Sequence, residues 1–304
     1  MFRCFPAVLI IGVMKGGTSE LLAQARAHPH LHAPSGEEHW FGQHEGSHAP
    51  RAPSSWHHYL WSKRNKAWGS LDIRSGAGLA IEKTPSYFRY DASLAHIRLL
   101  LPSARLVLLL REPADRAYSH FRMTAPGHSI AMEQEPQVFQ QKVSAALAKR
   151  CASVRLASLA TCLERLGACT TGTTTCSSVK AALYEDRHTP LSTNDSLIER
   201  SLYSDRIRAM YRTGWGCDHV TIIVTEQFLA QPTAELRSLW RALGLPYNTT
   251  IADDHRGAAP HHHTSLPMLN TTRLTLTKFF DPDVRDTVAL LPALNLKMWW
   301  PAYF

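Results

Sequence analysis

The residues of this chain best suited to chemistry are cations and hydroxyls gathered at the ends of apolar runs. In the first group Lys15 stands among Gly12, Gly16 and Gly17, and Thr18 and Ser19 follow directly. Glycines let a backbone bend and approach an anion closely, and a helix opening at Thr18 and Ser19 turns its first amides toward the same spot. With the charge of Lys15 the stretch reads as a phosphate cradle. In the second group Arg111 ends the run Leu106 to Leu110, and Ser119 lies on the stretch that follows. A guanidinium offers a phosphate a bidentate contact and a hydroxyl adds a third bond. A third polar pair, Glu82 and Lys83, opens the segment EKTPSYF. The nucleotide-triphosphatase loop G-x-x-x-x-G-K-[ST] sets its lysine after the last glycine, directly before the hydroxyl residue. Here Lys15 precedes both Gly16 and Gly17. On this stretch alone a tight turn with a solvated lysine stays open as the other reading.

The elements that must position these groups follow from hydrophobic pattern. Val8 to Val13 is apolar and partly β-branched, as a parallel strand covered on both faces should be, and Ala104 to Leu110 is the next such strand. Helices are predicted from Thr18, from Asp91 to Leu101 before Pro102, and after Arg111 with Pro113 near the start. Further helices are expected around Phe139 to Lys149, across Ser196 to Arg212, from Pro232 to Gly244, and last from Asp281-Pro282. A strand is expected at His219 to Thr225. After the first helix the chain turns at Pro29 and Pro34 into a loop rich in His, Gly and Trp that runs to about Gly78. Strands alternating with helices predict an α/β fold, a P-loop-like parallel sheet flanked by helices with right-handed crossovers. The ligand then belongs at the carboxyl ends of the strands.

With 304 residues, 44% of them hydrophobic, the chain suits one domain over residues 1–304. A Cys/Thr-rich insertion is expected at about 122–195, where the pattern weakens and Cys151, Cys162, Cys169 and Cys176 crowd together. No C-x-x-C pair occurs, so these spacings suit loop-stapling disulfides better than zinc. Lys and Arg exceed Asp and Glu by 33 to 25, a net charge of +8, which favours a polyanionic partner. Nucleic acid is discounted, because the basic residues are scattered and no DNA- or RNA-binding module is present. No apolar run approaches the roughly 20 residues a membrane span needs. Met1 stands just before the first strand, so no signal anchor is expected in this chain. Sequons begin at Asn194, Asn248 and Asn270. Trp56, Trp61 and Trp68 suit either sugar stacking or burial, and His44, His48, His57 and His58, without metal spacing, are read as surface residues.

In order and spacing, VMKGGTSEL, EKTPSYF and REPADRAYSHF resemble the sulfotransferases that use 3′-phosphoadenosine 5′-phosphosulfate. The likeness is to the carbohydrate branch that holds the heparan sulfate N- and 3-O-sulfotransferases and chondroitin 4-sulfate 6-O-sulfotransferase, from Pro6 to about Trp300. The resemblance implies a single sulfotransferase domain with the phosphosulfate donor as co-substrate and no metal. It implies donor binding by Lys15, Gly16, Gly17, Thr18 and Ser19 at the 5′-phosphosulfate, and by Arg111 and Ser119 at the 3′-phosphate. RSLYSDRIRAMYR matches the family helix with a donor-side tyrosine, here Tyr203. HPHLHAPSGEEHWFG matches the stretch that carries the catalytic glutamate before an aromatic pair, here Glu37 before Trp40 and Phe41. The late lysine-glycine-arginine loop of several members is replaced by His261-His262-His263.

The implied reaction is in-line displacement at sulfur by a hydroxyl of an anionic polysaccharide or oligosaccharide. Glu37 is expected as general base, with Glu38 beside it as the rival. Lys15 and Lys83 are expected to meet charge on the leaving phosphate, although Lys83 could instead pair with Glu82. His39 is expected either to orient Glu37 or to pack as an imidazole. The resemblance further implies the Golgi lumen or secretory pathway, with membrane attachment only through an N-terminal anchor that these residues lack. A P-loop small-molecule kinase and a sulfotransferase-like glycan-binding protein without turnover are the alternatives.

Overall fold

The computed structural model of the chain describes residues 5–42, 78–124, 132–153, 196–246 and 266–304. In chain order it begins β1 (Val8–Gly12), α1 (Thr18–Ala27), β2 (Leu31–His32), β3 (Leu79–Lys83), α2 (Asp91–Leu100) and β4 (Arg105–Leu110). Then come α3 (Pro113–Thr124), α4 (Glu135–Ser153), α5 (Ser196–Glu199) and α6 (Ser204–Arg212). The chain closes with β5 (Val220–Val224), α7 (Thr225–Ala230), α8 (Pro232–Ala242), α9 (Asn270–Leu290) and α10 (Leu296–Trp299). Backbone contacts divide it into two compact units, Met1–Arg111 with Arg206–His261, and Glu112–Asp205 with His262–Phe304.

The five strands among the described residues belong to the first unit and form one parallel sheet in the order β2-β3-β1-β4-β5. The α/β expectation is met. Val8, Ile10, Ile81, Val107, Leu109 and Ile223 turn to one face, where Leu21, Leu22 and Ala25 of α1, Phe228 of α7 and Leu236, Leu239 and Trp240 of α8 pack on them. The alternating residues Leu9, Ile11, Leu106 and Leu108 are equally buried, so both faces of β1 and β4 are covered and their inner positions must be apolar. The chain leaves β1 toward β2 and β3 on one side, whereas β4 and β5 lie on the other. The crevice between the carboxyl ends of β1 and β4 is therefore the switch point at which a doubly wound sheet binds its ligand.

In the second unit α3 and α9 each bury a full face of side chains. Arg116, wholly buried on α3, donates from Nε to Ser201 Oγ at 2.5 Å and from its terminal nitrogen to the Leu197 carbonyl. Ser201 Oγ donates to the Pro113 carbonyl at 2.8 Å. Asp283 of α9 accepts the amides of Tyr203 and Ser204 at 2.7 and 3.1 Å and the Ser204 hydroxyl at 2.6 Å. These bonds explain why the predicted helix across Ser196 to Arg212 is two helices. The amides of Tyr203 and Ser204 are spent on Asp283 as a cap for α6 rather than on carbonyls of a preceding turn.

The last long helix also differs from expectation. It starts at Asn270, and Pro282 lies inside its 21 residues. The buried stripe Leu276, Phe280, Val284 runs straight through the proline, so packing on one face outweighs the single backbone bond that Pro282 removes. β2 and α7 escaped the sequence pattern because each is short. Most of the loop rich in His, Gly and Trp, with His44, His48, His57 and His58, lies outside the described residues. So do Trp56, Trp61, Trp68, Cys162, Cys169, Cys176, Asn194, Asn248 and His261 to His263. Of Cys151 only the helical backbone is described. Among the described residues no helix is long and apolar enough to cross a membrane.

Burial pushes Asp283 up from 3.8 to about 6 against the pull of its hydrogen bonds from Ser204 and Tyr203. The folded value lies above the unfolded one. The group's contribution to stability is thus fully present below about pH 4 and lost as pH rises through about 6. Asp283→Asn abolishes this titration, so the stability margin of the wild type over the variant should shrink across that window. Urea unfolding of both proteins at several pH values measures it.

Candidate functional site

The site begins where β1 stops. Lys15 takes a left-handed backbone with φ 69° and Gly17 one with φ 85°, and the chain turns sharply between Val13 and Thr18. The Gly16 amide donates to the Val13 carbonyl at 2.9 Å. A Cβ at Gly16 would stand 2.9 Å from that carbonyl oxygen and 3.0 Å from the Leu109 carbonyl oxygen, so backbone crowds it on both sides and only glycine fits. No side chain caps α1, which leaves its first amides to a ligand or water. The loop is held from two neighbouring strand ends. Arg111, just past β4, donates to the Lys15 carbonyl at 3.1 Å, and Thr225, just past β5, donates through Oγ1 to the Gly16 carbonyl at 2.8 Å. Arg111 therefore supports the cradle as well as bringing charge to it. Thr225 carries no motif, and only the parallel register of β4 and β5 reveals its role.

Beside the cradle stands a carboxylate with two basic partners. Lys83, at the end of β3, places Nζ 2.6 Å from Glu37 Oε1 and donates to Ser19 Oγ at 3.3 Å. His39 Nε2 lies 3.2 Å from Glu37 Oε2. Burial pushes the Glu37 carboxyl up, but the hydrogen bonds and charge of His39 and Lys83 outweigh it and hold the group below the usual carboxylate range. At neutral pH Glu37 is thus ionised, the form able to take a proton. His39 is exposed, with φ 53°, so it is not a packed imidazole, and Glu37 is its carboxylate contact. Lys83 and Glu82, adjacent on a strand, face opposite ways. Glu82 turns into the protein, where its Oε1 accepts the hydroxyls of Thr84 at 3.0 Å and Tyr87 at 2.5 Å.

Of the residues selected from sequence, Lys15, Gly16, Gly17, Thr18, Ser19, Glu37, His39, Lys83 and Arg111 all belong to the first unit, and the bonds above join them at one end of its sheet. Ser119 and Tyr203 belong to the second. Ser119 is half-buried on α3, and Tyr203 is fully buried, with its ring centroid 6.1 Å from that of Trp300. Among the described residues no group of His, Cys, Asp and Glu is arranged to hold a metal ion.

No family model matches the chain. Its sequence is 35% identical over 124 residues to heparan sulfate glucosamine 3-O-sulfotransferase 6 of Homo sapiens, a match covering 40% of this chain and 31% of that protein. Heparan sulfate glucosamine 3-O-sulfotransferase 3B1 of Mus musculus is 32% identical over 121 residues, 39% of this chain and 27% of that one. The match thus spans less than a third of the length of these curated relatives. The crystal structure of a sulfotransferase from Alicyclobacillus acidocaldarius has a TM-score of 0.59 to this structure, over 95% of this chain and 96% of that one, at 20% identity. The chain has the sulfotransferase fold, and its likeness to carbohydrate sulfotransferases, first visible in three short motifs, is borne out.

Proposed function

We propose that this chain transfers a sulfuryl group from 3′-phosphoadenosine 5′-phosphosulfate to a hydroxyl of an anionic, glycosaminoglycan-like glycan, with Glu37 as general base. One observation carries the reading: a single ammonium, Lys83, reaches both Ser19 at the cradle and Glu37 beside it. Anion binding and proton acceptance are therefore joined by one cation. The donor, when bound, supplies the sulfuryl group and leaves as the 3′,5′-bisphosphate.

The chain's own residues divide the work. The turn from Lys15 to Ser19 is assigned to the donor's 5′ end, because the glycines let the backbone fold tightly there and α1 opens directly after it at Thr18. Lys15 and Lys83 supply positive charge where negative charge grows on the departing phosphate. Glu37, ionised and steered by His39, accepts the proton of the attacking hydroxyl. The assignment of Ser119 and Tyr203 to the donor rests on the sequence resemblance. An acidic polysaccharide suits the net charge of +8. The proposed place of action, by the same resemblance, is the Golgi lumen or secretory pathway.

Arg111 gives the test of donor identity. If its guanidinium holds the 3′-phosphate, Arg111→Ala should lose about tenfold or more in affinity for the 3′,5′-bisphosphate, as a charged hydrogen bond of about 1.5–3 kcal/mol implies. Affinity for the analogue lacking that phosphate should barely move. Isothermal titration measures both, with ATP as the comparison ligand. Tight bisphosphate binding to the wild type with weak ATP binding favours the sulfotransferase over the kinase. Equal losses for both analogues in Arg111→Ala would mean that its bond to the Lys15 carbonyl is its whole role.

A further inference from the structure

Glu37 sits in an irregular segment, and irregular segments place a catalytic group well only when their backbone is fixed by something else. Here the fixing bonds come from the turn after β3. The amide of His39 donates to Thr84 Oγ1 at 3.3 Å, and the amide of Phe41 donates to the Tyr87 hydroxyl at 3.2 Å. Each of these hydroxyls in turn gives its own proton to the same atom, Oε1 of Glu82, at 3.0 and 2.5 Å. Glu82, Thr84 and Tyr87 are all fully buried. With both protons committed to Glu82, both hydroxyl oxygens are left as acceptors, which is the state the two loop amides require. Trp40 and Phe41 are buried as well, and the Gly42 amide closes a turn on the His39 carbonyl at 3.2 Å.

We infer that Thr84 and Tyr87, oriented by the buried carboxylate of Glu82, are positioning residues for the reaction, holding the His39 and Phe41 amides and thereby the loop that presents Glu37. The inference rests on the reading of Glu37 as the base. It also gives the buried acid of the E-K-T-P-S-Y segment a use that the donor contacts do not. β3 then serves the site from both faces, Lys83 contacting Glu37 directly and Glu82 fixing its loop from within. Burial and the neighbouring charge of Glu82 raise the Tyr87 phenol well above its ordinary value, which keeps its proton on the oxygen for donation.

The test is a set of near-isosteric variants, Thr84→Val and Tyr87→Phe, each made alone and in the Glu37→Gln background. Turnover of each single variant should fall between about tenfold and 10²-fold, as expected when a reacting group is displaced by up to about 1 Å. Affinity for the 3′,5′-bisphosphate should stay within about threefold, and Thr84→Ser, which keeps the hydroxyl, should recover most of the lost activity. In the Glu37→Gln background neither substitution should lower residual turnover further, because both act through the same carboxylate. Amide hydrogen exchange at His39 and Phe41 should quicken in the corresponding variant, which checks the bond itself. Unchanged turnover in Thr84→Val and Tyr87→Phe would overturn the positioning role while leaving Glu37 as the base. Equal losses with and without Glu37 would overturn it too, showing that the hydroxyls act elsewhere. Full activity in Glu37→Gln alone would sink both the base and its positioning.

Discussion

Glu37→Gln should lower sulfuryl transfer by about 10² to 10⁴-fold, the usual range for a general base, while bisphosphate affinity stays within about threefold. Glutamine keeps the shape of the side chain and an oxygen for the hydrogen bond from Lys83, but it has no basic oxygen for the acceptor proton. The neighbouring variant Glu38→Gln is the control and should retain most activity, because Lys83 and His39 both contact Glu37. Steady-state transfer rates and calorimetric titration separate the two effects. Loss of bisphosphate binding in Glu37→Gln would point to a folding role, and an active Glu37→Gln beside a dead Glu38→Gln would move the base by one residue.

The second large effect is expected at Lys83. Lys83→Ala removes the cation shared by Ser19 and Glu37, so donor affinity and turnover should both fall. Loss of one preorganised group at a centre of developing charge typically costs about 10² to 10³-fold in turnover. A second signature is specific to the proposed arrangement. Lys83 is one of the two groups that hold Glu37 below the carboxylate range, against burial pushing it up. Without Lys83 the burial effect gains ground and Glu37 rises, so the acid limb of the kcat/KM profile must move to higher pH. A limb that stays in place as the rate falls would mean that Glu37 does not set it.

The cradle was legible in the sequence because its signal is local. Glycine, lysine and hydroxyl residues follow an apolar run within one turn, and each run is long enough to mark its strand. Glu37 against Glu38 was a different problem. Two adjacent acids carry the same information until Lys83, distant in sequence, is brought to one of them by the pairing of β2 with β3. The roles of Thr225, Thr84 and Tyr87 were hidden for the same reason. Their value lies in bonds to Gly16, His39 and Phe41, and a lone hydroxyl residue at a strand end has no periodic signature. Pro282 misled because a proline after aspartate resembles a helix start, whereas the stripe from Leu276 to Val284 is what decides where α9 runs. Tyr203 matched a motif residue, and its complete burial beside Trp300 could be seen only in the fold.

The most direct measurement of the central claim is transfer of label from donor to glycan. The protein is incubated with 3′-phosphoadenosine 5′-phosphosulfate carrying radioactive sulfur and a heparan-type polysaccharide, in parallel with ATP labelled in its terminal phosphate. Sulfur label should pass into the polysaccharide with wild type and Glu38→Gln, and fall to about 1% or less with Glu37→Gln. No phosphate label should transfer. Sulfur transfer that is absent although the bisphosphate binds, or label arriving from ATP instead, would contradict the account.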